Sequence, residues 1–265
     1  MNIIAYFKDR YGRQNSHVKQ RPSKKDYNYK DHFVVAGSKD LPASVDNSHY
    51  WWNIQDQSSS QACTGFALKQ ALEAILRPYS MDIHISPLFN WYYAKKKHGY
   101  PSENKGVWIR YTCNSACLHD GVAKTNLMPY SSGKYLYDPM HAAIVQGQEF
   151  LKLYFKNKIK YYHTTFSKVK GILADGHNVI FGAYLNNSFY GNRNGLIKNI
   201  PNNGSAHAML LCGYDDNKVI DNFIGAFKVA NSWGTRFGKR GYCWIPYAYL
   251  KGNGFDYTVI REVSR

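Results

Sequence analysis

Cys63 opens an apolar, helix-like run, Cys63-Thr64-Gly65-Phe66-Ala67-Leu68-Lys69-Gln70-Ala71-Leu72-Glu73-Ala74-Ile75-Leu76, and no other feature constrains the fold of this chain so tightly. A thiol in the first turn of a helix feels the partial positive charge of backbone N–H groups that lack an intrahelical acceptor, and that field favours thiolate over thiol. Such a thiolate becomes a working nucleophile when a base can hold its proton. Of the ten histidines, only His207 is set in an apolar, strand-like segment, Ser205-Ala206-His207-Ala208-Met209-Leu210-Leu211, 144 positions after the cysteine. For the two to act together, a helix start and a strand from distant parts of the chain must meet across one groove.

The rest of the pattern divides along the same line. Residues 1–40 carry nine Lys and Arg against four Asp and show no sustained period of 3.6 or 2, which reads as a basic N-terminal extension or pro-segment. The pattern changes at Leu41-Pro42-Ala43-Ser44-Val45-Asp46, and one compact domain is expected over 41–265. Its helical lobe, about 50–130, holds the Cys63 run and a second helix begun by Ser86-Pro87, an N-cap hydroxyl with Pro at the first helical position. A third helix is expected around 108–119 and another over about 138–155. From about 160 the character becomes β. Strands are expected at 179–185, 207–214, 225–231 and 241–245, with Asp215-Asp216-Asn217 as a turn. The fold class is therefore α+β, a helical lobe followed by a strand-rich lobe over about 131–260.

Composition narrows the setting. A chain of 265 residues can bury a substantial core. It has no run of 18 apolar residues, so no membrane span is expected, and its first ten residues do not read as a secretory signal. An intracellular location, cytoplasmic or inside a virion, is the expectation. Five cysteines (Cys63, Cys113, Cys117, Cys212 and Cys243) are too few and odd in number for a disulfide framework, and read as one reactive thiol and four packing residues. The net charge of +16 raises affinity for polyanions without specifying one, and reads first as a solvated basic surface.

Thiol catalysis needs a nucleophile, a base, a group that orients the base, and donors for the oxyanion. Cys63 supplies the nucleophile and one backbone N–H. Gln57, six residues upstream, can bring a side-chain amide, although Gln55 is close enough to exchange roles with it. His207 is the base, Asn231 can accept from the imidazole N–H and fix its tautomer, and Trp233 can shield that bond from water. Cys113 and Cys117 share a helix face at i, i+4 in a segment that ends at His119, but a structural zinc needs about four ligands and no fourth is nearby in sequence, so core packing is the reading and no metal is expected.

These segments, Gln57-Ser58-Ser59-Ser60-Gln61-Ala62-Cys63, Ser205-Ala206-His207-Ala208 and Asn231-Ser232-Trp233-Gly234-Thr235, resemble those of papain-like cysteine peptidases, as do Leu41-Pro42-x-Ser44-Val45-Asp46 and Gly238-x-x-Gly241-Tyr242. The resemblance covers about 41–250. It implies a two-lobed papain-like fold with a β-barrel-like C-terminal lobe, and hydrolysis of peptide bonds in protein or peptide substrates through an acyl-enzyme, with no cofactor. Cys63 is then the nucleophile, His207 the base and acid, Asn231 the orienting residue and Gln57 an oxyanion donor. Gly106 could admit a substrate backbone, with a plain turn glycine as the equal alternative, and Ala206 would wall the main specificity pocket.

The departures point to a branch. Ser60 stands where the family usually has a disulfide cysteine, and Thr64 where papain has Trp, a form closer to bacterial and viral members than to lysosomal cathepsins. The wide His207–Asn231 spacing implies a hairpin inserted around 215–225. The rival readings are a non-catalytic or autoinhibited binding protein on the same fold, with 1–40 across the cleft as in a zymogen, and a nucleic-acid-associated basic protein.

Overall fold

A strand of fifteen residues, β4 (Ala206–Ile220), runs through the middle of the molecule, and its alternation decides how the two lobes meet. Successive side chains of a strand point to opposite faces. Met209 and Leu211 face one apolar cluster, while Ala208, Leu210 and Cys212 face another that contains Cys63 and its helix. The sheet is thus buried on both sides, which is why this segment reads as an unbroken apolar run rather than an alternating one. The computed structural model describes residues 18–21, 23, 28, 41–48, 54–77, 83–131, 134–156 and 158–262.

The helical side contains α1 (Cys63–Leu76), α2 (Pro87–His98), α3 (Ile109–Asn114) and α4 (His141–Phe150), with wider π-type turns at 115–119 and 151–155. Ser86 caps α2 as expected, its Oγ accepting from the Leu88 N–H at 3.2 Å, and Gly99 closes the helix in the left-handed conformation. Two glycines permit close helix crossings. A Cβ on Gly65 would stand 2.0 Å from the Pro87 carbonyl oxygen, and one on Gly147 only 2.4 Å from that of Asp120. The second contact packs α4 against the turn after α3. The helical layer therefore continues to Phe155, beyond the expected boundary near 131.

The sheet also contains β1 (Ser44–Asp46), β2 (Ile159–His163), β3 (Val179–Tyr184), β5 (Phe223–Ala230), β6 (Tyr242–Pro246) and β7 (Gly254–Glu262). Its order is β2-β7-β3-β4-β5-β6, with β1 on β4 and every strand pair among the described residues antiparallel. Among the described residues β2 and β6 do not pair, so the barrel-like path is not closed into a ring. Two short helices, α5 (Val169–Ala174) and α6 (Tyr247–Asn253), cover the far face.

Asp215-Asp216-Asn217 is not the turn that its composition suggests. The β4 strand passes through it with a register shift between Asp215 and Val219, and the hairpin turns at Asp221 instead, in left-handed conformation at φ 51°. Asp216 is held in place by Lys170 Nζ at 2.7 Å and the Tyr247 hydroxyl at 2.8 Å, so tertiary partners override the local turn preference. The extended β4–β5 hairpin accounts for the wide His207–Asn231 spacing.

Candidate active site

The two halves of the site stand on opposite sides of that central sheet. Cys63 is the first residue of α1, and the N-cap, Ala62, has no side chain to cap with. An uncapped first turn keeps its N–H groups for another acceptor. Cys63 is fully buried, as are Gln57, His207, Asn231 and Trp233 to within one per cent exposure.

His207 stands second in β4 with Ala183 of β3 beside it, and Asn231 follows the last residue of β5. Antiparallel pairing of β4 with β5 brings the two together: His207 Nε2 lies 2.8 Å from Asn231 Oδ1. The same Oδ1 accepts the Ser232 backbone N–H at 2.8 Å. A backbone N–H can only donate, so the atom it meets is the amide oxygen, and His207 Nε2 must carry a proton to bond to it. The neutral ring then has Nδ1 as its basic nitrogen. Trp233 packs over the imidazole, ring centroids 5.0 Å apart, and is itself stacked on Tyr190 and edged by Phe237.

Gln57 is the fixed glutamine. Its Nε2 donates to the Ser60 carbonyl at 2.8 Å and its Oε1 accepts from Ser232 Oγ at 2.6 Å, while its backbone carbonyl accepts from the Tyr130 hydroxyl. Gln55 joins through its backbone alone, its carbonyl accepting from Gly234 N–H at 3.1 Å. Asn104 binds the segment before the cysteine at two points, accepting from Gln61 N–H at 2.8 Å and donating to the Ser59 carbonyl at 2.9 Å.

The remaining site candidates are less central. Gly106 is buried, its N–H donated to Gln61 Oε1 at 2.8 Å and its carbonyl accepting from Tyr100 at 2.9 Å, so its one donor is already engaged within the helical lobe. Ala206 is half-buried at the start of β4, opposite Tyr184. Burial pushes the other four thiols up: Cys212 to about 12, and Cys113, Cys117 and Cys243 further in the same direction. Cys113 and Cys117 pack in the core beside α1, which supports their structural reading.

Sequence reasoning missed Ser232, Ser60 and Asn104, which hold the glutamine and the helix approach. Ser232 carried a signal by adjoining Asn231. Asn104 carried none, because two of its partners lie more than forty positions upstream and a third, Tyr135, lies 31 positions downstream.

A helix that starts at a cysteine, on one side of a sheet whose other side carries a histidine bonded to an asparagine, has the parts of a class of thiol hydrolases. Residues 41–254 match the family described as papain family cysteine protease, and the chain belongs to that family. An uncharacterized peptidase C1-like protein of Acanthamoeba polyphaga mimivirus is 24% identical over 232 residues, spanning 79% of this chain and 70% of that one. Among solved structures, xylellain, a cysteine protease from Xylella fastidiosa, is similar over 100% of both chains with a TM-score of 0.79 at 23% identity. Digestive procathepsin L 3 of Tenebrio molitor larval midgut is similar over 91% of this chain and 76% of its own, with a TM-score of 0.63 at 18% identity. The fold is papain-like and the chain is a cysteine protease. No helix among the described residues is long and apolar enough to cross a membrane.

Proposed function

We propose that the chain hydrolyses peptide bonds in protein or peptide substrates through a Cys63-His207-Asn231 triad. The observation that carries this reading is the double acceptance at Asn231 Oδ1, which fixes the imidazole tautomer with Nδ1 as the base. Nδ1 takes the Cys63 proton, giving a thiolate–imidazolium pair stabilised by the helix start. The thiolate attacks the carbonyl carbon. The resulting oxyanion receives the Cys63 backbone N–H and the second N–H of the Gln57 amide, whose first is held by Ser60. Imidazolium protonates the leaving amine as the tetrahedral species collapses to an acyl-enzyme. Water, deprotonated by Nδ1, then releases the acid and regenerates the thiol. No step calls for a cofactor.

Replacing the nucleophile tests this directly. Cys63→Ala should lower kcat by at least roughly 10⁴-fold with the thermal midpoint preserved. Turnover near the wild-type rate would remove Cys63 from the mechanism.

The N-terminal extension supports a latent form of the same enzyme. Gln20, nine-tenths buried, spans the seam between the lobes. Its backbone N–H donates to Asp256 in β7 at 2.8 Å, its Oε1 accepts from the Arg110 N–H of α3 at 3.0 Å, and its Nε2 lies 3.3 Å from His163 Nδ1 at the end of β2. Arg110 also donates to the Arg21 carbonyl at 2.8 Å. Register places Gly254 of β7 and His207 of β4 on opposite sides of Ala183, so this clamp is at the same end of the sheet as the base. Together with the burial of Cys63, His207 and Asn231, it favours residues 18–21 acting as a strap that must loosen before substrate enters. Gln20→Ala should raise the initial rate of inhibitor labelling at Cys63 by about fivefold, one to two hydrogen bonds being lost. An unchanged labelling rate would leave the clamp a purely structural feature.

A further inference from the structure

On the far side of His207 from that clamp there is a hollow of about 460 Å³, lined by Asp56, Ser58, Asn192, Arg193, Thr235 and Arg236 and floored by the buried Trp233. Sheet order gives its position relative to His207. The strands that meet residues 18–21, β2 and β7, lie on one side of β4; the hollow lies beyond β5, past Asn231. Its floor is the indole that packs over the imidazole, the group that hands a proton to the leaving amine. A leaving chain that passes over Trp233 would bring its next one or two residues, at about 3.3–3.6 Å per residue, to the hollow that this indole floors.

The walls of the hollow are braced, and their charge is uneven. Asn192 holds the loop bearing Arg193 through donation to the Ser188 and Leu196 carbonyls at 3.0 and 2.9 Å and acceptance from Gly195 N–H at 2.8 Å. Arg236 sits on a turn closed by Phe237 N–H donating to the Gly234 carbonyl at 3.2 Å. Arg193 Nη1 donates to the Arg236 carbonyl at 3.1 Å, tying the two loops together. A guanidinium has five N–H donors, so four of those on Arg193 remain for a ligand. Neither arginine is in an ion pair among the described residues. The one carboxylate in the wall, Asp56, accepts the Ser58 N–H at 2.8 Å and is pressed against Gly234, where an added Cβ would stand 3.1 Å from Asp56 Cβ. Two cations against one anion leave a positive site on the leaving-group side.

Resting on the peptidase reading, we propose that Arg193 and Arg236 make this enzyme select substrates that present a carboxylate one or two residues beyond the cleaved bond. Planar guanidinium groups match a carboxylate's two oxygens. The carboxylate can come from an Asp or Glu side chain or from the free C-terminus of a short substrate.

Peptides of one sequence, cleaved by the full-length chain in reducing buffer, separate these sources. One set carries Glu, Gln or Lys at the second position past the bond in a long, amidated peptide. The other ends two residues past the bond as free acid or amide. We expect kcat/KM about tenfold higher for the carboxylate member of at least one set, falling as salt rises and vanishing in the double variant R193A/R236A, while the neutral peptide is cleaved as by wild type. A preference confined to the first set assigns the site to acidic side chains; one confined to the second assigns it to C-termini. Equal rates for charged and neutral peptides, or a preference that survives in the double variant, overturn the proposal and leave the peptidase reading intact. Failure to cleave any peptide, with Cys63 unlabelled by a thiol-directed epoxide, removes both.

Discussion

The two sides of the candidate site are held by different forces. On the cysteine side, Gln57, Ser60, Gln61, Asn104 and Ser232 form a web of hydrogen bonds between 2.6 and 2.9 Å. On the histidine side one carboxamide bond is enclosed by Trp233, Tyr190 and Phe237. The difference follows from what each wall does. In the proposed mechanism the oxyanion donors must already point at the place where charge develops, which directional bonds ensure. The imidazole, in that proposed mechanism, gains and loses a proton during turnover. Its orientation is better kept by packing, which depends little on charge, with one acceptor that serves both ring states.

That contrast can be broken from either side. The largest effect should come from Trp233→Ala, which removes a fully buried indole from a close-packed cluster and should lower stability by about 3–5 kcal/mol, measured by urea unfolding. A loss in rate with stability preserved would mean that packing is not what holds the histidine wall. Gln57→Ala should do the opposite. It should cut kcat roughly 10²–10³-fold at nearly constant KM, with a smaller change in unfolding midpoint, because one directional donor is lost. If kcat stayed within a few-fold of wild type, Gln57 would be a strut for Ser60 and Ser232 only.

A smaller effect lies deeper in the helical lobe. Lys95 is buried over the Trp91 ring, its Nζ 3.9 Å from the centroid and 3.0 Å from the Glu103 carbonyl. Burial pulls its pKa down from 10.5 to about 8. A cation whose folded pKa is depressed is protonated more readily in the unfolded chain. It therefore destabilises fully below about pH 8, and that penalty is relieved as pH rises from about 8 towards 10.5. The stability difference between Lys95→Met and wild type should shift against the variant across that window. A pH-independent difference would show that Lys95 acts through cation–π packing and its carbonyl bond alone.

Much of this was legible from local pattern. The Cys63 helix starts where its apolar run starts, Ser86-Pro87 begins α2, and the strand around His207 is where its apolar residues put it. Elements with weaker patterns were not legible. The β2 and β7 strands mix charged and aromatic residues, and they are strands because they pair with each other and β7 with β3. The turn expected at 215–217 failed for a related reason: Asp216 has a lysine and a tyrosine hydroxyl to hold it, and neither is near in sequence. Spacing favoured Gln57 but left Gln55 able to exchange with it; in space the Gln57 side chain is held by Ser60 and Ser232.

Chemical identity and local periodicity, both written residue by residue, fixed which thiol opens a helix, which imidazole sits in a strand, and which amides stand close enough in sequence to serve them. Tertiary structure decided the rest. Only strand pairing turns His207 onto Asn231, only two braced loops bring Arg193 and Arg236 over Trp233, and only the folded seam gives Gln20 partners in both lobes. Direction and distance between residues far apart in sequence are properties of the packed chain, because they arise when many weak contacts are satisfied at once.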